Sequence, residues 1–527
     1  MFWKAAAAGC GLAWLSVGGA CGQLSPVWAQ FPGSPSGTTP RHDDIYFIDE
    51  TTGWSARSTG GIYKTVDGGN TWSNVLSRPA THFRCLGFAS ATRGWAGNLG
   101  PGSYDGAVTD TNVLYETFDG GLSWTNRPGF AEKGMRGLCS LHIFDSQHIF
   151  GVGRVRGPAF FIKTANGGAN WTVTNLTAAG VMGGMMDVYF KDLQNGFVVG
   201  MNTNTYADGC ASNYYGRIAK TTDGGETWTP VATTTIPCCY FWKMSWPTPT
   251  VGYASLQQNA SGSTLIFYKT TDGGNTWVSN GIPYSAIGVS SFYWQGVGFV
   301  SENEGWAGGD SSTSPYANNF LHTTNGGASW QPAGYVDSLR INRICFLNPG
   351  VAVASGAKLH IYRVPLALTN QPQGQWASPG VNLSFSAGVS GNPPFSFQWQ
   401  KNGSNLSGQT NAILALTNVS RIDSGTYAVT VTNAWGKLQS SNATLRVVTP
   451  QFILTPNVDN GGNVQILFGD SDGGIMATND VAGFQVEATT NLVDWVPLTN
   501  SLSVTNGRIM LRDSGLFPRR FYRILEH

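Results

Sequence analysis

Asp44 and Asp187 each head an alternating apolar run, Ile45-Tyr46-Phe47 and Val188-Tyr189-Phe190. Inverting hydrolysis of a glycosidic bond needs two carboxylates about 6.5–9.5 Å apart across the scissile bond, and this pair is the candidate for it. The plain alternative for each, and for Asp43 beside Asp44, is a strand-end turn or an ion-pair partner. Arg84 and Arg343 stand at the starts of similar runs, where they could hold an anionic partner or serve as ordinary surface charge. Aromatic planes suit the apolar faces of sugar rings. Three pairs or triplets, Tyr214-Tyr215, Tyr240-Phe241-Trp242 and Tyr293-Trp294, lie off the main repeat, which makes Tyr215, Trp242 and Trp294 binding candidates against the alternative of core burial. His142 and His148 have no cysteine or carboxylate pattern beside them, and no metal or cofactor is expected. Gly469-Asp470-Ser471-Asp472-Gly473-Gly474 lacks the third oxygen ligand and closing Glu of a calcium loop, so it reads as a tight turn.

The elements that must position these residues are set by a repeat. Six segments align: KTVDGGNTW (64–72), ETFDGGLSW (116–124), KTANGGANW (163–171), KTTDGGETW (220–228), KTTDGGNTW (269–277) and HTTNGGASW (322–330). Their Trp residues recur every 47 to 57 positions, which fits one four-stranded propeller blade with its loops. In each unit an alternating apolar run is followed by a second strand, as at Gly53-Trp54, Gly94-Trp95 or Gly305-Trp306, then a third strand leading into the Asp-Gly-Gly turn. A seventh unit without the turn is read from Ile341–Leu347, Val351–Ser355 and Leu359–Val364. Its fourth strand is expected from residues 31–40. Seven blades are expected, six plus a capping sheet being the alternative.

These segments resemble the Asp-boxes of the BNR family, found in sialidases and sortilin-type receptors. The Gly-Trp-Ala-Gly stretches at 94–97 and 305–308 resemble blades of the photosystem II assembly factor family. The resemblance implies an all-β Asp-box propeller over residues 30–365 and says less about activity, since this fold hosts many. The box residues Asp67, Asp119, Asn166, Asp223, Asp272 and Asn325 are read as structural. Their side chains accept turn N–H groups, and Asn replaces Asp in two boxes, which acid–base chemistry would not tolerate. In the assembly-factor family a propeller face holds a partner polypeptide through arginines, a role the resemblance would give Arg84 and Arg343.

Residues 366–448 resemble an immunoglobulin-like sandwich. Trp399 is the core Trp, Asp423-Ser424-Gly425-Thr426-Tyr427 the tyrosine corner, and Phe385 and Val429 fill the usual disulfide positions. Residues 449–527 resemble a C-terminal module of exported bacterial proteins and are expected to form a small β-sandwich, with cell-surface association as one role.

Only 12% of residues are charged, the net charge is +1 and no basic cluster occurs, which excludes a nucleic-acid binder. Residues 1–29 read as a signal peptide cut after Ala29, giving a secreted, cell-surface or periplasmic protein without a transmembrane segment. Lipidation at Cys21 is the rival processing. Beyond that leader lie Cys85, Cys139, Cys210, Cys238, Cys239 and Cys345, read as disulfide-forming, with Cys210 paired to Cys238 or Cys239.

No Arg-Ile-Pro element occurs, which argues against sialidase chemistry. Xyloglucanase-type enzymes, whose propellers also carry Asp-boxes, use a cleft between two propellers, and this chain has one. The expectation is therefore a non-catalytic, exported propeller that binds a glycan or a protein. A glycoside hydrolase using Asp44 and Asp187 is the alternative.

Overall fold

The computed structural model describes residues 26–35, 41–102, 107–203, 214–258, 264–287, 293–310, 320–333, 340–498, 502–514 and 517–526. The chain divides into two compact units, Met1–Pro365 and Leu366–His527. No described helix is long and apolar enough to cross a membrane.

The first unit is a seven-bladed β-propeller, each blade a four-stranded antiparallel sheet. Blade one runs His42–Phe47, Gly53–Arg57, Gly61–Thr65 and Ser73–Ser77. The first strands of blades two to seven are Phe83–Phe88, Ser140–Ile143, Gly184–Phe190, Cys239–Ser245, Tyr293–Phe299 and Ile341–Asn348. Each first strand packs on those of its two neighbours, blade seven on blade one included, so these strands surround the axis.

The fourth strand of blade seven is Val27–Gln30, antiparallel to Leu359–Arg363 with Val27 opposite Arg363 and Gln30 opposite His360. This corrects the expectation that residues 31–40 close the ring. Trp28 is the physical reason: its ring packs 5.2 Å from Phe320 and 5.4 Å from Tyr362 by centroid, whereas Phe31, just past the strand, packs on Phe47 and Trp72 of blade one. A cut after Ala29 would remove three of this strand's four residues.

The Asp-Gly-Gly turns lock blade to blade. In blade one the Asp67 carboxylate accepts from Thr65 Oγ1 at 2.8 Å, Thr71 N at 2.9 Å and Thr71 Oγ1 at 2.6 Å. Asn166 makes the same turn through Thr164 Oγ1 and Asn170 N, both 2.9 Å, so the acceptor rather than the charge builds it. Trp54 then stacks on Phe88 of blade two at 3.6 Å, and its Nε1 donates to Gly120 O at 3.0 Å. The glycine that follows is required: Gly121 has φ +88°, and a Cβ there would lie 3.1 Å from Trp54 Nε1.

Hydrogen bonds from the Ser123 hydroxyl and amide hold Asp119 at about 2, and those from Thr227 hold Asp223 at about 2. A carboxyl with a depressed folded pKa stabilises above its unfolded value near 4 and loses that contribution as pH falls through about 2. The propeller's melting temperature should therefore fall between about pH 4 and pH 2. The double variant Asp119→Asn/Asp223→Asn should show a shallower fall in a pH series of thermal melts; an unchanged slope would refute the assignment.

In the second unit, residues 366–447 form the immunoglobulin sandwich. Trp399 is fully buried, Phe385 stacks on Tyr427 at 4.9 Å, and the Tyr427 hydroxyl donates to Asp423 O at 2.7 Å, closing the tyrosine corner. The terminal module packs two sheets around Ile466, Phe468, Val486, Ile509 and Leu511. The Gly469–Gly474 run is a turn, with Gly473 N donating to Asp470 O at 3.1 Å.

Candidate functional site

Six of the seven first strands carry a β-bulge: between His42 and Asp44, Phe83 and Cys85, Met185 and Asp187, Phe241 and Met244, Trp294 and Gly296, and Ile341 and Arg343. A bulge inserts a residue and re-aims its side chain. Here the inserted residues include Asp43, Arg84, Trp242 and Asn342, all buried. They face the axis, since the Arg84 guanidinium of blade two lies 5.1 Å from the Trp242 ring of blade five, across the ring.

Asp43 is the hub of this layer. Arg41 Nε lies at 2.5 Å, Arg84 Nη1 at 3.0 Å, His82 Nε2 at 2.5 Å and Asn342 Nδ2 at 3.2 Å. Burial alone would raise its pKa, but the charges of Arg41 and Arg84 and the His82 hydrogen bond outweigh it and hold the carboxyl far below the usual range.

A second hub is Arg343 of blade seven. Its Nε lies 3.1 Å from Asp44 Oδ1 of blade one and its Nη1 3.7 Å from Asp187 Oδ1 of blade four. Asp187 also accepts from Ser140 Oγ at 2.6 Å and Met244 N at 2.9 Å, with Lys243 Nζ at 3.3 Å. Burial raises the Asp187 pKa, Lys243 and Arg343 lower it, and the net direction is down. The axis is therefore bridged by compensated charges. Asp44 and Asp187 do meet, but through a shared guanidinium, and Asp187 is held as the anion where a general acid needs a raised pKa.

The ends of the ring differ. First strands start, second strands finish, third strands start and fourth strands finish at one and the same end. That end carries Arg78, Arg136, Arg154, Arg156 and Arg217. Arg136 is exposed, and Arg154 is buried with its Nη1 donating to Pro101 O at 2.6 Å. Burial, together with the like charges of Arg136 and Arg156, lowers the Arg154 pKa. Arg78, Arg136, Arg154 and Arg217 make no ion pair with an acid among the described residues. The opposite end carries the turn carboxylates Asp49, Asp67, Asp119, Asp145, Asp223 and Asp272. Arg136 stands near an inner strand in the sequence already, whereas Arg78, Arg154, Arg156 and Arg217 were missed because they lie scattered along the chain; only the convergence of alternate strand ends gathers them.

Residues 366–447 match the family model of the immunoglobulin I-set domain. Among solved structures the chain is similar to YCF48 bound to D1 peptide, at 18% identity over 65% of this chain and 100% of that chain, TM-score 0.46. It is also similar to YCF48 from Cyanidioschyzon merolae, at 17% identity over 64% of this chain and 98% of that one, TM-score 0.46. Titin M4 is similar to part of the chain, at 27% identity over 16% of this chain and 95% of that one, TM-score 0.15. No curated protein matches the chain.

Several expected site residues sit elsewhere than a binding surface. Trp242 and Trp294 are 2% and 1% exposed, Trp242 because its bulge turns it inward and Trp294 because it packs between blades five and six, and neither is available for stacking on a ligand. Arg84 is buried against Asp43, so it is not surface charge, while Arg343 keeps about a fifth of its side chain exposed (21%). Tyr215 is half-buried on the third strand of blade four; its neighbour Tyr214 is in the core. Cys85, Cys139, Cys239 and Cys345 are free thiols, which corrects the six-cysteine disulfide framework: the first three are buried, separated by packing that no pairing rule in the sequence encodes. Of the two partners expected for Cys210, Cys239 is thereby excluded, and Cys210 itself lies outside the described residues. Cys21 and residues 1–25 lie outside them as well.

Proposed function

We propose that the propeller is a recognition module that binds an acidic partner protein at its arginine-bearing end, in an exported protein. The observation that carries this is the separation of charge along the axis. The arginines Arg78, Arg136, Arg154 and Arg217 share one end, and the turn carboxylates share the other. In a chain of net charge +1 this gives one basic face rather than a basic protein. Such a face raises the encounter rate with an anionic segment and loses strength with salt. Glycan binding is less well supported, because Trp242 and Trp294, two of the three aromatic residues expected to stack on sugars, are in the core, and only Tyr215 is partly accessible. The hydrolase alternative is disfavoured by the pairing of Asp44 and Asp187 with Arg343.

The test is fluorescence anisotropy of the full chain with labelled peptides of matched length, one rich in Glu and one in Gln, alongside a glycan array. Binding of the Glu peptide that weakens from 50 to 200 mM salt and drops at least tenfold in Arg136→Glu/Arg156→Glu is expected. Glycan binding that survives this double variant, with neither peptide bound, would replace the protein-partner reading by a lectin-like one.

A further inference from the structure

Arg421 belongs to the immunoglobulin sandwich, yet its guanidinium serves the domain that follows. It stands in the short 3-10 turn Arg421–Asp423, which is firmly mounted: Ser420 N donates to Asp423 Oδ2 at 2.9 Å and the Tyr427 hydroxyl donates to Asp423 O. Nε and Nη2 donate to the two oxygens of Asp470 at 2.6 and 2.8 Å, and Nη1 donates to Glu526 Oε1 at 2.5 Å. The guanidinium carbon also lies 5.1 Å from the Phe484 ring centroid. These three partners come from three strands of the terminal module, Val464–Asp470, Phe521–Glu526 and Phe484–Thr489. The Asp470 side chain is fully buried, and a fork-on-carboxylate pair is the strong, directional kind of ion pair.

The short connection between the domains is tied at both ends. Val448 N donates to Ala377 O at 2.9 Å on the sandwich side, and Ser471 N donates to Pro450 O at 2.8 Å on the module side. Gln451 Nε2 adds a further donor to Asp470 Oδ1 at 2.5 Å. A free linker would leave these groups to water, and two domains so joined would move independently.

We propose that the immunoglobulin sandwich and the terminal module form a single rigid arm, with Arg421 as its clamp. Three converging strand ends make a receptacle for one arginine of the same chain. Whatever the module attaches to is then held at a fixed orientation to the sandwich, and the pair unfolds together.

The test uses the full chain. Differential scanning calorimetry should show residues 366–527 unfolding in one transition, distinct from that of the propeller. Thermolysin should cut at residues 448–451 slowly. In Arg421→Met the transition should split in two and cleavage should accelerate at least tenfold, because Asp470 stays buried without its fork. Arg421→Lys, which keeps the charge and loses the bidentate geometry, should fall between. Should Arg421→Met fail to fold, Glu526→Gln serves, since it keeps the Asp470 pair and should raise cleavage by a smaller factor. The swap Arg421→Asp/Asp470→Arg should recover part of the single transition. Separate transitions in the unaltered chain, or cleavage unchanged in both Arg421→Met and Glu526→Gln, would overturn the proposal.

Discussion

Asp43→Ala is expected to destabilise the propeller by about 3–5 kcal/mol, the cost of breaking a buried ion pair by removing one partner. The alanine leaves Arg84 on the axis without the carboxylate 3.0 Å away, and it takes from Arg41, His82 and Asn342 the same acceptor. Asp43→Asn should cost less, because an amide oxygen still accepts from His82 and Asn342. Replacing both charges in Asp43→Ala/Arg84→Met should recover much of the loss, since an apolar pair of similar volume is often no worse than a buried ion pair. The reading is the urea midpoint of the propeller transition followed by Trp fluorescence. A loss below about 1 kcal/mol in Asp43→Ala would mean that the hub is solvated or dispensable. The pH sign follows from the depressed pKa: the contribution is present above the unfolded value near 4 and is lost only as pH falls through the much lower folded value. The hub should therefore outlast the exposed turn carboxylates in acid. The same reasoning applies to the Arg343 layer. Asp44→Asn/Asp187→Asn removes the counter-charges of Arg343, so lost activity in that variant would report stability before it reported chemistry.

The blades were legible because each repeats one short instruction. Thr-x-Asp-Gly-Gly specifies a turn through its own hydrogen bonds, as Thr65, Asp67 and Thr71 show, and the Trp after it specifies an interface. The immunoglobulin sandwich was legible for a similar reason, since Trp399 and the Tyr427 corner are local marks of non-local packing. The axis was only half legible. Charged residues at first-strand starts pointed to Asp44, Asp187 and Arg343, but a bulge shifts every following side chain by one position, and alternation cannot reveal it. Trp242 was misplaced on that account, because it sits in a bulge and points inward, whereas Trp294 keeps its register opposite Gly309 and is buried between blades five and six. The basic end was invisible, because Arg136 and Arg217 are far apart in sequence and share a face only through strand direction. The clamp was invisible for the same reason, Arg421 and Asp470 lying in different domains.

A chain beginning at Gln30 should be markedly less stable than one beginning at Pro26, although the two differ by only four residues. The shorter chain lacks Val27, Trp28 and Ala29, and with them most of the ladder to Leu359–Arg363. Trp28 is 7% exposed and packs with Trp306, Phe320, Ile341 and Tyr362, so its loss alone is worth about 3–5 kcal/mol by analogy with Trp→Ala in cores. Removing the strand also uncovers Leu359, Ile361 and Tyr362 on an edge with unpaired backbone groups, which invites pairing between chains. The Gln30 chain should therefore melt lower and associate as its concentration rises, by calorimetry and light scattering. Trp28→Ala in the Pro26 chain should reproduce the loss of stability without the association, because the backbone ladder remains. If the residues ahead of the propeller are a leader that is cut off, a closed ring requires the cut ahead of Val27, and mass spectrometry of the mature chain should find its N-terminus there. Equal stability of the Gln30 and Pro26 chains would show instead that Val27–Gln30 is dispensable to the ring, and would leave Ala29 free to mark the cut.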